Sequence, residues 1–484
     1  MTAERPNVLL IQTDHWQAHM MRCAGEQAIM TPTLDTLAQN GVRFTNAYST
    51  CPVCIPARRS LMTGLSPRSH GDRVYTDKLP MPPVKTLAQS FRDSGYQAFG
   101  VGKLHVYPQR DRIGFDDVIL SEEARYYLGM VDDYQTWLAE NGYAGMEYMH
   151  GISNNDYAVR PWHLPEAAHQ TSWATREICR MIKRRNPEKP GLYYVSYVHP
   201  HPPLVPLQAY LDLYRDIEIP DPVTGDWESG DDAFLDLFAR ADKSYNRQDI
   251  ELAKKAFYAQ CTHIDHQMRL IIGTLREEGL LNNTIIAFTS DHGDMLFDHN
   301  MVAKRCFYEN SANIPLIISG APLGDLAGTV SDDLACLEDV MPTLLSLCGI
   351  EMPGVADGID LLSGNRRDML FGEISDGPAA TRMAADGRYK LIYYPYGNTV
   401  QLFDLDADPK ECKNLSGDPA YADVQAKLTQ FLIENLHGGD EAWHQNGVLT
   451  GMEAPPKRHR TNYGFSNQRG LHWPPPTNSR PTFK

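Results

Sequence analysis

The chain has 484 residues, 42% of them hydrophobic, and its 45 Lys and Arg stand against 61 Asp and Glu for a formal charge of −16. That length allows two to three domains with sizeable cores and argues against global disorder. The acidic balance argues against nucleic acid as the main partner and against a long polyanion held along an open surface, because phosphate recognition relies on clustered Lys and Arg. It leaves room for a small anion drawn into a local pocket of positive charge.

No uninterrupted apolar stretch, residues 8–11 being typical, approaches the roughly 20 residues of a membrane span, so no membrane partner is expected. The start, Met1-Thr2-Ala3-Glu4-Arg5-Pro6, places an acid and a proline where a secretion signal carries its apolar region. The expectation is a cytoplasmic protein. Nine scattered cysteines, an odd number, lack the dense spacing of a disulfide framework and leave at least one free thiol.

In chain order, a β-branched run over residues 7–12 predicts the first strand, followed by a helix over 33–40. The segment from Cys51 to Gly64 then reads as a short helix starting after Cys54, since Pro56 suits a first turn and Gly64 a helix stop. Further helices are predicted over 84–94, 171–184 and 249–278, alternating with strands over 98–101, 192–197 and 284–289. This alternation predicts an α/β fold, a large and mostly parallel sheet flanked by helices, over residues 1–364. Beyond residue 364 the texture changes. Alternating runs over 388–394 and 399–403, with Tyr396-Gly397-Asn398 as the hairpin turn, precede a helix over 421–436. They predict a small antiparallel sheet plus helix domain over 365–437. Residues 438–484 form a Pro-rich tail that cannot build a core alone. Its aromatic residues Trp443, Tyr463, Phe465 and Trp473 suggest that it lies against this subunit or a neighbour in a homo-oligomer, bordering the substrate mouth.

In such sheets ligands sit outside the carboxyl ends of the strands. Four predicted strand ends carry chemistry: Asp14-His15, Lys103 with His105, His199 with His201, and Asp291-His292. One alone is ordinary, since a single Asp there is usually a helix cap and a single His a packed or surface residue. Four together point to a metal and anion site. Cys54 at a helix start adds unpaired N–H groups that favour an anion, and Arg58 one turn on adds a fork of donors on the same face. Bland readings remain for neighbours: His199 faces away from His201, His299 ties down its loop, Arg59 and Arg68 make structural ion pairs, and the tyrosines at 393, 394 and 396 pack or line a mouth.

The run Cys54-Ile55-Pro56-Ala57-Arg58 resembles the signature of the type I, formylglycine-dependent sulfatases of the alkaline phosphatase-like superfamily, in which Cys54, Pro56 and Arg58 match residue for residue. The resemblance extends through residues 7–14, Gly102-Lys103-Leu104-His105, Pro200-His201-Pro202, Ser290-Asp291-His292-Gly293 and Lys304 into residues 389–415. Two departures stand out. His15 occupies the place of a second aspartate, and His292 that of an asparagine, as in the iduronate sulfatase-like and phosphonate monoester hydrolase-like branches.

The resemblance implies that a formylglycine-generating enzyme converts Cys54 to formylglycine. One hydroxyl of the aldehyde hydrate then attacks sulfur, and the second expels sulfate. Asp14, Asp291 and His292, with His15 as a further candidate, hold one divalent metal: Ca²⁺, with Mn²⁺ as the alternative because imidazole is softer than oxygen. Arg58, Lys103 and Lys304 supply positive charge, His201 and Lys304 are candidates to protonate the leaving oxygen, and His105 to take a proton in the second step. The expected activity is hydrolysis of an aryl, alkyl or sugar sulfate monoester. A phosphonate monoester or phosphodiester hydrolase with the same site is the alternative, and a non-catalytic anion-binding protein a third reading.

Overall fold

The computed structural model describes residues 5–453, apart from 124, 126, 127, 230–232, 238–244 and 355, together with 470–475. Tyr463 and Phe465 of the tail lie outside the described residues. The first strand, Asn7–Asp14, is buried along its whole length and occupies the middle of an eight-stranded sheet. Across the sheet the order is Asp117–Leu120, Gln97–Gly102, Gly191–Pro200, Asn7–Asp14, Thr284–Ser290, Leu316–Ser319, Gly41–Phe44 and Thr329–Ser331. All run parallel except Leu316–Ser319, which is antiparallel to both of its neighbours.

The central strands read as continuous apolar runs because both of their faces are covered. Leu9 and Ile11 pack with Tyr193, Val195, Ile286 and Phe288 beneath the helices Gln170–Lys183 and Arg247–Glu277. Val8 and Leu10 pack with Leu192, Tyr194, Ile285 and Ala287 on the opposite face, against residues of the helices Cys54–Thr63 and Val340–Leu347. The helix predicted over 84–94 is shorter, Leu87–Asp93, because Thr86 accepts a hydrogen bond from Gln89 N at 3.2 Å and fixes the start.

A four-stranded antiparallel sheet, Leu370–Ile374, Thr381–Ala385, Tyr389–Tyr394 and Thr399–Asp404, follows. Alternation sorts its residues. Leu391, Tyr393 and Leu402 meet Leu428 and Leu432 of the helix Ala422–Asn435, while Ile392, Tyr394 and Phe403 meet Tyr48, Phe307 and Tyr308 of the main body. The tyrosine cluster therefore packs, with Tyr394 stacked on Phe234 at 4.3 Å. The first part of the tail is laid across this sheet: Trp443 joins the same cluster beneath Arg382, and Asp440 is buried. Farther on, Leu471 runs against the backbone at Gly145. All nine cysteines are free thiols. No helix among the described residues is long and apolar enough to cross a membrane.

Candidate active site

The four strand ends singled out in the sequence belong to four adjacent strands, Gln97–Gly102, Gly191–Pro200, Asn7–Asp14 and Thr284–Ser290, so their polar residues converge at one carboxyl edge. Two glycines permit the crowding. Gly102, at φ 101°, passes so close to the strand Gly191–Pro200 that a Cβ there would stand 1.9 Å from Ser196 O. A Cβ on Gly293 would meet Asn310 O at 2.0 Å.

Cys54 is the first residue of its helix, and the thiol reaches under the strand ends. Its Sγ lies 3.3 Å from His292 Nε2 and 3.8 Å from Asp14 Oδ1. Arg58, one turn on and fully buried, donates from Nε to Asp291 Oδ2 at 2.9 Å and from Nη1 to Ser196 Oγ at 2.7 Å and Lys103 O at 2.8 Å. It also stands 3.4 Å from Asp14 Oδ2. Asp14 is held besides by the Lys103 ammonium.

The donor set fits a divalent cation. One ligand atom from each of Asp14, Cys54, Asp291 and His292 falls within 4.8 Å of the others, all in buried positions. His292 donates from Nδ1 to Gly293 O at 2.8 Å, so the lone pair on Nε2 faces the set. Burial works to raise Asp14, yet the permanent cations beside it, Lys103 first and then Arg58, hold it well below the usual carboxylate range. Asp291 is pushed up to about 7, first by burial and then by repulsion from Asp14. Two buried carboxylates facing one another are what a dication relieves.

His15 belongs to another alignment. Its Nδ1 lies 2.5 Å from Asp294 Oδ2, and its Nε2 takes a hydrogen bond from Lys304 Nζ. Both ring nitrogens thus have protein partners, although Asp14, His15 and His201 also present ligand atoms to one another. Lys304 Nζ is 3.1 Å from His201 Nε2, and His201 Nδ1 is 2.6 Å from Pro202 O. Burial drives His201 down to about 3 and His15 well below its ordinary value, so both rings are neutral. His199 turns to the other side of its strand, where Nδ1 meets Gln260 at 2.9 Å. His299 is fixed between Glu228 and Lys410 O, both at 2.9 Å. Arg59 corrects the expectation of an ion pair: it donates to the carbonyls of His70, Leu79 and Pro80, because its helix packs against a loop offering bare C=O groups. Arg68 is exposed.

Three participants escaped the sequence reading. Glu123 lies 2.8 Å from Lys103 Nζ and 3.2 Å from His105 Nε2. Asp294 fixes His15 and accepts from Tyr157 OH. Ser196 takes a donor of Arg58. The available signals were slight: an acid pair after a short strand, and an Asp three residues past Asp291.

The chain matches known families and proteins over most of its length. Residues 6–350 match the sulfatase family, and residues 297–437 match the C-terminal region of N-sulphoglucosamine sulphohydrolase. The chain is similar to an arylsulfatase of Clostridium perfringens (strain 13 / Type A), 34% identical with 94% of this chain and 99% of the relative covered. It is also similar to a choline-sulfatase of Rhizobium meliloti (strain 1021), 28% identical over 89% and 86% of the two chains. In fold it resembles the phosphonate monoester hydrolase of Agrobacterium radiobacter, with a TM-score of 0.75 at 23% identity over 89% of this chain and 95% of that one.

Proposed function

The chain belongs to the sulfatase family, and from that premise we propose that it hydrolyses a small sulfate monoester, aryl, alkyl or sugar, at Cys54 matured to formylglycine. The observation that carries this reading is the convergence of Cys54 Sγ with Asp14, Asp291 and His292 beneath the Arg58 guanidinium. Formylglycine in its hydrated form offers one hydroxyl to attack sulfur and a second to release sulfate, which a thiol cannot do.

Asp14, Asp291 and His292 would hold one divalent metal, Ca²⁺ or alternatively Mn²⁺, beside residue 54. Such a metal would supply charge to polarise the sulfate oxygens and to ease ionisation of the attacking hydroxyl. Arg58 spends its donors on Asp291, Ser196 and Lys103 O, so it fixes the ligands in place as well as supplying charge. Lys103 adds charge on the other side of Asp14. Lys304 has three N–H donors, of which His15 and His201 accept two. The third is the one we assign to protonating the leaving oxygen. His201, whose own proton is directed to Pro202 O, acts here by orienting Lys304, and so does His15. His105 is the acceptor of the proton released as sulfate leaves.

Maturation would call on a formylglycine-generating enzyme, and a homo-oligomer formed through the tail from residue 438 is part of the same reading. Mass spectrometry of the Cys54 peptide, metal analysis and paired rates on 4-nitrophenyl sulfate and a phenylphosphonate monoester test the reading. Formylglycine at 54, one metal per chain and a higher rate on the sulfate are expected. Faster turnover of the phosphonate transfers the site to the alternative hydrolase.

A further inference from the structure

We propose that Glu123 is a positioning residue, which holds His105 in the tautomer with a bare Nδ1 and tethers Lys103 beside it. The loop Gly102-Lys103-Leu104-His105 is gripped by two adjacent acids. Glu122 Oε1 accepts the backbone N–H groups of Leu104 at 2.7 Å and His105 at 3.0 Å, which fixes the main chain. Glu123 takes the side chains: one oxygen, Oε2, lies 2.8 Å from Lys103 Nζ and 3.2 Å from His105 Nε2.

Glu123 is buried and sits at φ 53°, a left-handed conformation that costs energy for a glutamate, and His105 is likewise left-handed at φ 57°. Neutralising Lys103 does not explain the arrangement, because Asp14 already pairs with that ammonium. What the second carboxylate adds is contact with the imidazole. At 3.2 Å the Glu123 carboxylate favours a proton on Nε2 by electrostatics, although the contact falls short of hydrogen-bond geometry, and Nδ1, which has no partner among the described residues, keeps its lone pair. The third contact, Glu123 Oε1 to His201 Nδ1 at 3.4 Å, is longer than the bond from that nitrogen to Pro202 O. It does not decide the tautomer of His201.

The catalytic consequence rests on the proposed role of His105 as proton acceptor, whereas the tautomer itself does not. The full-length protein labelled with ¹⁵N-histidine, with His105→Ala for assignment, should show His105 protonated on Nε2 alone. In Glu123→Gln and Glu123→Asp that single signature should give way to a mixture or to the Nδ1-protonated form, because the amide has no charge and the shorter acid lacks reach. On 4-nitrophenyl sulfate, kcat should fall about 10- to 100-fold in both variants with KM within about threefold. Unchanged His105 signals in both variants overturn the proposal, as does a Glu123→Asp enzyme indistinguishable from wild type, which would show that charge alone matters. A loss of rate matched by an equal loss of folded protein in circular dichroism overturns it too. If the wild-type protein turns over no sulfate ester, the proposed function fails while the spectra still decide the role of Glu123.

Discussion

Two buried ionic networks in this molecule use the same residue types to opposite ends. Where the small sheet meets the tail, Asp440 accepts from Arg73 at 2.7 Å and from Arg382 at 2.7 Å, and Glu373 accepts from Arg73 at 2.7 Å and lies 2.9 Å from His437. Arg382 spends its remaining donors on the carbonyls of Ile374, Thr381 and Ser375. Each carboxylate there is met by a guanidinium, Asp440 by two that share it. At the strand ends, by contrast, Asp14 and Asp291 face each other with Cys54 and His292 between them, and Asp291 is pushed up to about 7. The first network is closed and holds the fold, whereas the second is left open toward a common point and waits for a cation and an anion. The difference shows how a buried charge cluster is recognised as functional: by like groups converging, more than by the number of charges.

The largest expected effect breaks the open network. Cys54→Ala should abolish turnover of 4-nitrophenyl sulfate, and Asp291→Asn should lower it by several orders of magnitude, with metal content falling in parallel in the second variant. Thermal melting of the metal-free Asp291→Asn protein should fall less than that of Asp440→Asn, because the loss of the ion pair to Arg58 is offset by removal of the repulsion from Asp14. A large destabilisation there would erase the contrast. Lys304→Ala sharpens the division within the site: a loss of roughly 10²- to 10⁴-fold is expected. The loss should be greater for an alkyl sulfate than for 4-nitrophenyl sulfate, since only the poorer leaving group needs a proton. Equal losses on both substrates would remove the acid role.

Asp440→Asn tests the closed network. Leaving Arg382 buried and unpaired should cost about 3–5 kcal/mol of stability, read by denaturant unfolding, while kcat of the remaining folded enzyme stays within twofold.

A third buried cluster provides a neutral reference. The rings of His169, His199 and His263 stand 4.8 Å apart along a chain of contacts. Burial drives His199 down to about 4, His263 to about 3 and His169 well below its ordinary value. Because these folded-state values lie below the unfolded value near 6.5, the unfolded chain binds more protons between them. Stability is therefore fully present above about pH 6.5 and is lost as pH falls toward about 3, on the order of 1–2 kcal/mol by pH 5 for one such histidine. The melting temperature of His263→Gln should fall less steeply from pH 7 to 5 than that of wild type, and parallel slopes would count against this. The smallest effect is expected from truncation after Glu453, which spares Asp440 and Trp443. A smaller assembly in solution and a raised KM are expected, and no change in either would separate the tail from both jobs.

Much of this was legible in the sequence because its signals are local. Apolar runs bounded by turns announced the central strands, and Asp14, Lys103, His201 and Asp291 advertise themselves by following strands. Cys54, Pro56 and Arg58 lie on one short helix whose periodicity sets Arg58 on the same face as Cys54. The sequence by itself therefore determined the α/β architecture and the residues that meet at its carboxyl edge. Only the tertiary structure decided their partners. Glu123 follows Asp117–Leu120, a four-residue edge strand too short and too exposed to announce itself. Its reach to Lys103 and His105 depends on strand order, as does the contact of Asp294 with His15 across 279 residues. The same holds for His199 and His201, which differ by two positions and serve different clusters. Proton positions, the state of Asp291 and the closing of one ionic network against the openness of another are set by which groups folding brings within hydrogen-bond range, and pairing at that distance leaves no period in the chain.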